Sequence, residues 1–262
     1  MCDRLFLEMQ NPGRLIGSFE LQGRFRGVRR KNNKFMSNEQ LSQWELLERM
    51  FSSERLRQYL ESTAGNKEKA EALYVWNNRV SAAMWEQLAF LEVAIRNTIS
   101  LQLERRYQKL GCSQHWVFDP SGELASSNTK ARDQLRQAKN QVLSNGQSLE
   151  PSQIISELPF GFWHLLLSKK FRFLWPDIAE GFKGLNTRNP THVSQLLKDL
   201  RWFRNRIGHH HSLLKIDLEA KDAQIREMSY YVDPDFGKWL EQTSQVKKNL
   251  LVYPNNSGIV AP

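Results

Sequence analysis

Val80-Ser81-Ala82-Ala83-Met84-Trp85-Glu86-Gln87-Leu88-Ala89-Phe90-Leu91-Glu92-Val93-Ala94-Ile95-Arg96-Asn97-Thr98-Ile99-Ser100-Leu101-Gln102-Leu103 decides the fold. Within it Val80, Met84, Leu88, Leu91, Ile95, Ile99 and Leu103 recur every three or four residues, and neither proline nor glycine interrupts them. That is the period of one face of an α-helix. A stripe of this length predicts a core-forming helix against which the rest of the chain packs.

Reading outward, the same period returns. Upstream, Leu41, Trp44, Leu47 and Met50 are spaced by threes, Glu54 to Leu60 reads as a short helix, and Lys67 to Asn77 carries Ala70, Leu73 and Tyr74 at helical spacing. Downstream, Cys112 to Gly122 reads as a loop with Asp119-Pro120-Ser121-Gly122 as its turn signal. Thr129 to Leu143 is a charged amphipathic helix, and Pro151 opens another with Ile154, Ile155 and Leu158. Leu158-Pro159-Phe160-Gly161-Phe162-Trp163 reads as an aromatic turn leading into Leu165-Leu166-Leu167, a block that Trp175-Pro176-Asp177 ends. Asn189-Pro190 breaks the chain before a helix through Val193, Leu196, Leu197, Leu200 and Phe203. Segments near 219–231 and 234–247 close it. No alternating strand pattern and no repeat is present, so the expected fold class is all-α.

Composition bounds the function. The chain has 262 residues, 40% hydrophobic and 25% charged, and its mean hydropathy is −0.58. The longest apolar runs fall far short of the roughly 20 residues that span a bilayer, so no membrane partner is expected. The cysteines, Cys2 and Cys112, form no disulfide framework and no zinc-finger spacing, which fits a reducing cytoplasm. The net charge of +9 suggests an anionic partner. Residues 1–35 hold eight Lys/Arg against three acids, +5 of that total, so the body is only mildly basic. This segment reads as a basic, disordered arm or as a spurious extension. In the second case the chain starts at Met36, with Ser37 as N-cap and Gln40 completing a capping-box spacing. Residues 36–247 read as the helical domain and 248–262 as a flexible tail.

The densest polar stretch is Arg204-Asn205-Arg206-Ile207-Gly208-His209-His210-His211. A histidine titrates near neutral pH and moves protons, while an arginine binds phosphate; the two together suffice to cleave RNA without a metal. Asn205 and His209 are four apart and share a helix face. Arg204 and His209 are five apart, about 140° of rotation, and do not converge on one regular helix. Either Gly208 loosens the helix end, or a second copy supplies the missing partner at a shared cleft. Consecutive histidines point about 100° apart and cannot chelate one ion from a regular helix, so no metal site is expected.

These residues carry a resemblance. Arg204-Asn205-x-x-x-His209 matches the R-x(4)-H motif of HEPN ribonucleases. More fully, residues 36–247 resemble the Abi-like proteins of the AbiD/AbiF abortive-infection type within the HEPN superfamily. Four blocks agree in order: Leu73-Tyr74-Val75-Trp76-Asn77, Leu91-Glu92-Val93-Ala94-Ile95-Arg96-Asn97, Leu158 to Trp163, and Leu200 to His210. The family usually follows its two histidines with Glu and Pro; here His211-Ser212 stand instead.

The resemblance implies a HEPN-like helical bundle with additional helices. It implies metal-independent endoribonuclease activity in phage defence, leaving 2′,3′-cyclic phosphate and 5′-hydroxyl ends, with no cofactor. His209, Arg204 and Asn205 would be catalytic, with Glu92, Arg96, Asn97 and His210 supporting the cleft. The implied partners are RNA, a second copy in a homodimer, and an antitoxin or phage-derived trigger. A non-catalytic HEPN module that binds RNA or protein is the alternative. Glu92 and Arg96 also read as a simple i,i+4 ion pair on the long helix. Trp76, Trp85, Trp163 and Trp202 read as core or interface anchors before base-stacking groups.

Overall fold

The computed structural model describes residues 41–186 and 189–254. Every regular element among them is helical, and the fold class is all-α. The reading of residues 1–35, and the Ser37 cap, lie outside the described residues.

The long stripe and the segment before it form one helix. After α1 (Gln43–Phe51) and α2 (Ser53–Ser62), α3 runs unbroken from Lys67 to Lys109, 43 residues or about 65 Å. Leu73, Trp76 and Val80 are in phase with Met84 and Leu88, so no break separates 67–77 from the stripe. Asn66 caps its start, and its end closes on Gly111 (φ 74°), where Gly111 N–H donates to Gln108 and Cys112 N–H to Tyr107. The capping box that opens α1 is built by Ser42 and Glu45.

The stripe is buried as expected, with Val80, Met84, Leu91, Ile95, Ile99 and Leu103 all fully enclosed. Around this axis pack α7 (Phe160–Leu166), α8 (Trp175–Ala179), α9 (Pro190–Gly208), α10 (Leu218–Val232) and α12 (Val246–Leu251), besides α1 and α2. Helices α4 (Glu123–Ser127), α5 (Thr129–Ser144) and α6 (Pro151–Glu157) stack on one another at its C-terminal side, and α11 (Pro234–Thr243) lies on α10.

Three local readings change. The aromatic turn is the start of α7: Pro159 sits at its N-cap, and Phe162 and Trp163 bury their rings against Trp116 at centroid distances of 6.1 and 6.0 Å. Trp175-Pro176-Asp177 opens α8 instead of ending a block, because proline fits the first helical turn, where no N–H partner is needed. The packed chain also continues past residue 247. α12 runs to Leu251, Trp76 Nε1 donates to the Asn249 carbonyl at 2.9 Å, and Tyr253 sets its ring edge-on to Trp76 at 4.5 Å. Those contacts take residues 248–253 out of the tail. No helix among the described residues is long and apolar enough to cross a membrane.

Candidate functional site

The helix α9 is capped by Asn189, begins on Pro190, and buries Val193, Leu196, Leu197, Leu200, Phe203 and Ile207 against the core. It stays helical through Gly208. Its end is a Schellman motif: His210 N–H donates to the Ile207 carbonyl at 2.8 Å and His211 N–H to the Arg206 carbonyl at 3.0 Å. α3 and α5 end the same way, on Gly111 and Gly146. In α9 the left-handed position is taken by His210, with φ 55°. Histidine tolerates that region better than most side chains, but only glycine occupies it without strain.

Gly208 therefore does not loosen the helix. A Cβ placed there would stand 3.2 Å from Trp85 Cζ3, so the glycine allows α9 to close on the Trp85 ring of α3. The other face of that contact holds Arg204. Its guanidinium lies 4.8 Å from the Trp85 ring centroid, and its Nε is 3.4 Å from Glu92 Oε2. The contact is an ion pair without a hydrogen bond, and both groups are largely screened from water, with side-chain exposures of 34% and 13%. Glu92 is thus paired across the helix interface with Arg204 and makes no ion pair with Arg96.

The sequence-derived set divides accordingly. Asn205 and His209 are exposed on the outward ridge of α9, as their spacing requires, and the Asn205 carbonyl accepts the His209 N–H at 2.9 Å. The His209 ring has His211 as its neighbour, 6.1 Å between centroids. Arg204 leans the other way, into α3. Within one chain the helix carries the two to different sides. Arg96 and Asn97 line a separate hollow with Ser100, Glu104, His115 and Ser152, where Arg96 Nε is buried without a hydrogen-bond partner. In that hollow burial holds the His115 imidazole below its ordinary range, against the opposing pull of Glu104.

The segment after α9 is tied down at each residue. Arg55 donates to the His210 carbonyl at 2.8 Å, and Arg206 gives Nε and Nη2 to the Ser212 carbonyl at 3.0 and 2.6 Å. Buried Asn77 accepts the Leu213 N–H at 2.8 Å. These anchors shape a cleft of about 780 Å³ between the end of α1, α2, α3 and the end of α9. His210 and His211 stand in its wall beside Arg55, Asn77, Asn78 and Trp85, while His209 and Arg204 lie outside it.

Sequence reasoning passed over Arg55, quoted Asn77 only within a block of the resemblance, and noted His211 only as a departure from it. One signal was present for Asn77: it occupies an apolar slot of the stripe, four residues after Leu73 and three before Val80. Of the tryptophans, Trp76 and Trp163 are core, whereas Trp85 and Trp202 are 36% and 50% exposed beside arginines. Among the described residues no three His, Cys, Asp or Glu side chains gather as a metal-ligand set. No family model, curated protein or solved structure matches this chain.

Proposed function

We propose that this chain is a metal-independent endoribonuclease of the HEPN type, acting in abortive-infection phage defence. The observation that carries the reading is the end of α9, where Arg204 is held by Trp85 and Glu92 while His209 and Asn205 face outward. In the reaction the ribose 2′-oxygen attacks the adjacent phosphorus and the 5′-oxygen leaves, giving a 2′,3′-cyclic phosphate and a 5′-hydroxyl. One proton is taken from the 2′-hydroxyl and one is delivered to the 5′-oxygen; an imidazole suits both transfers. Arg204 binds the phosphoryl oxygens as charge builds on them. Asn205 hydrogen-bonds the phosphate or orients His209.

Because a regular α9 separates Arg204 from His209, the active unit is a homodimer in which Arg204 of one protomer meets His209 of the other. Mixing inactive Arg204→Ala and His209→Ala proteins in equal amounts tests this. Half of the dimers are mixed and each of those rebuilds one of two clefts, so about a quarter of wild-type RNA cleavage returns. No recovery after subunit exchange removes the shared cleft.

The pairing of Arg204 with Glu92 favours one second reading, a non-catalytic module that binds RNA or a partner protein, such as an antitoxin or a phage-derived trigger. RNA binding without product, unchanged in His209→Ala, supports that module over the nuclease.

A further inference from the structure

The cleft of about 780 Å³ beside the histidines is a site of its own, distinct from Arg204 and His209. Its volume lies in the range of sites that enclose small organic ligands, roughly 300–1,000 Å³. Its walls are built from two chemistries. At one end are rings, Phe51 and Tyr74 with centroids 5.3 Å apart and Tyr59 set edge-on to Tyr74 at 5.1 Å, while Trp85 lines the cleft about 16 Å further along α3, beside Gly208. Arg55, His210 and His211 add polar groups to the same lining, Arg55 one turn from Tyr59 on α2. Between them Asn77, Asn78 and Ser81 of α3 present amides and a hydroxyl. Asn78 Nδ2 is committed to the Tyr74 carbonyl at 2.8 Å, which leaves its Oδ1 as an acceptor. Among the described residues no aspartate or glutamate lines the cleft.

The corner that sets the rim is strained. Ser52, between Phe51 and Arg55, has φ 69° and ψ 144°, a region essentially confined to glycine. It is held there because the same residue ends α1, donating to the Glu48 carbonyl at 3.0 Å, and caps α2, accepting from Arg55 N–H at 3.4 Å. Such strain persists where the surroundings over-determine it and clusters at binding sites.

Aromatic faces, amides at their edges, an arginine, two imidazoles and, among the described residues, no carboxylate suit a planar base that carries a phosphate. Single-stranded RNA is recognised in this manner, by bases turned out of the strand, stacked on rings and read along their edges. We propose that this cleft holds one unpaired nucleotide of an RNA: its base lies against Phe51 and Tyr74, Asn78 and Ser81 read its edge, and Arg55 and His211 hold its phosphate. The proposal deepens the nuclease reading by naming single-stranded RNA as the substrate class, and a binding readout separates it from cleavage.

The test uses full-length protein carrying His209→Ala, so that no RNA is cut, and a fluorescein-labelled single-stranded RNA 12-mer followed by anisotropy. Asn78→Asp places a carboxylate in the cleft with almost no change of shape. Phe51→Ala removes an exposed ring. Each is expected to weaken binding about tenfold, the loss typical of one stacked base, with an unchanged thermal melt. A fully paired RNA of the same sequence is expected to bind at least tenfold more weakly. Equal affinity in wild type, Asn78→Asp and Phe51→Ala overturns the cleft site, and does so even if the wild-type enzyme cleaves RNA. Tight binding lost in both variants, from a wild type that never cuts RNA, keeps the cleft and removes the nuclease. Displacement of the labelled RNA by polyglutamate at lower concentration than by unlabelled RNA makes the cleft an acidic-peptide site and overturns the proposal.

Discussion

Arg204 Nε lies 3.4 Å from Glu92 Oε2 across the contact of α9 with α3, and the Trp85 ring covers the same guanidinium. A cation in that position has its direction fixed by a ring and a carboxylate, and losing either lets it swing.

Under the nuclease reading Glu92 positions Arg204. Arg204→Ala is expected to lower kcat by 100-fold or more, in the range of lost charge-stabilising groups, and Glu92→Ala by about tenfold. The double variant is expected to match Arg204→Ala, since Glu92 acts only through the arginine. Single-turnover rates at saturating RNA measure this, and additive losses exclude the positioning role.

Gly208 is expected to be coupled to Trp85. Alanine gains about 1 kcal/mol over glycine in a helix, but the 3.2 Å approach of its Cβ to Trp85 forces the ring to move. Gly208→Ala is therefore expected to destabilise the wild type by about 1 kcal/mol. In a Trp85→Ala background the same change is expected to stabilise by about 0.5–1 kcal/mol, the helix gain alone. Urea titration of the four proteins gives the sign change, and the same sign in both backgrounds contradicts the contact.

His210 holds a glycine's place. His210→Gly is expected to stabilise by about 0.5–1 kcal/mol and His210→Val to destabilise by about 1–2 kcal/mol, since β-branching is least compatible with positive φ. Each kcal/mol should move Tm by about 2–4 °C in a protein of this size. The reverse order of the two variants contradicts the Schellman ending.

His164 supplies a pH dependence. Burial, then the charges of Arg201, Lys198 and Lys130, hold its imidazole below the ordinary value of 6.5. The unfolded chain takes up this proton first as pH falls, so the unfolded state gains. Stability is expected to drop as pH decreases through about 6.5 and to level off only once the folded His164 is also protonated. His164→Gln should flatten the Tm profile between about pH 6.5 and 5. An unchanged slope assigns the effect elsewhere.

The helices were readable where the apolar period held for many turns. Val80 to Leu103 and Val193 to Phe203 occupy the buried faces their spacing implied. Short helices were not: α4 and α8 are five residues each, less than two turns, too brief for a period to register. The site was legible only along α9. Spacing placed Asn205 and His209 on one face and separated Arg204 from both. It could not show that Glu92 faces Arg204, because 112 positions separate them in the chain. Nor could it show what Gly208 does, since a glycine near a helix end reads as a weak point until the ring it accommodates is in view. His211 was noted only as a departure from the resemblance, yet its ring is the one beside His209.

The central claim is cleavage by Arg204 and His209, and an RNA digest tests it most directly. Wild-type protein incubated with single-stranded RNA in EDTA is expected to give fragments ending in 2′,3′-cyclic phosphate and 5′-hydroxyl, identified by mass spectrometry. His209→Ala and Arg204→Ala, folded as judged by circular dichroism, are expected to give about a hundredth of that yield or less. Equal fragment yields from wild type and both variants contradict the account.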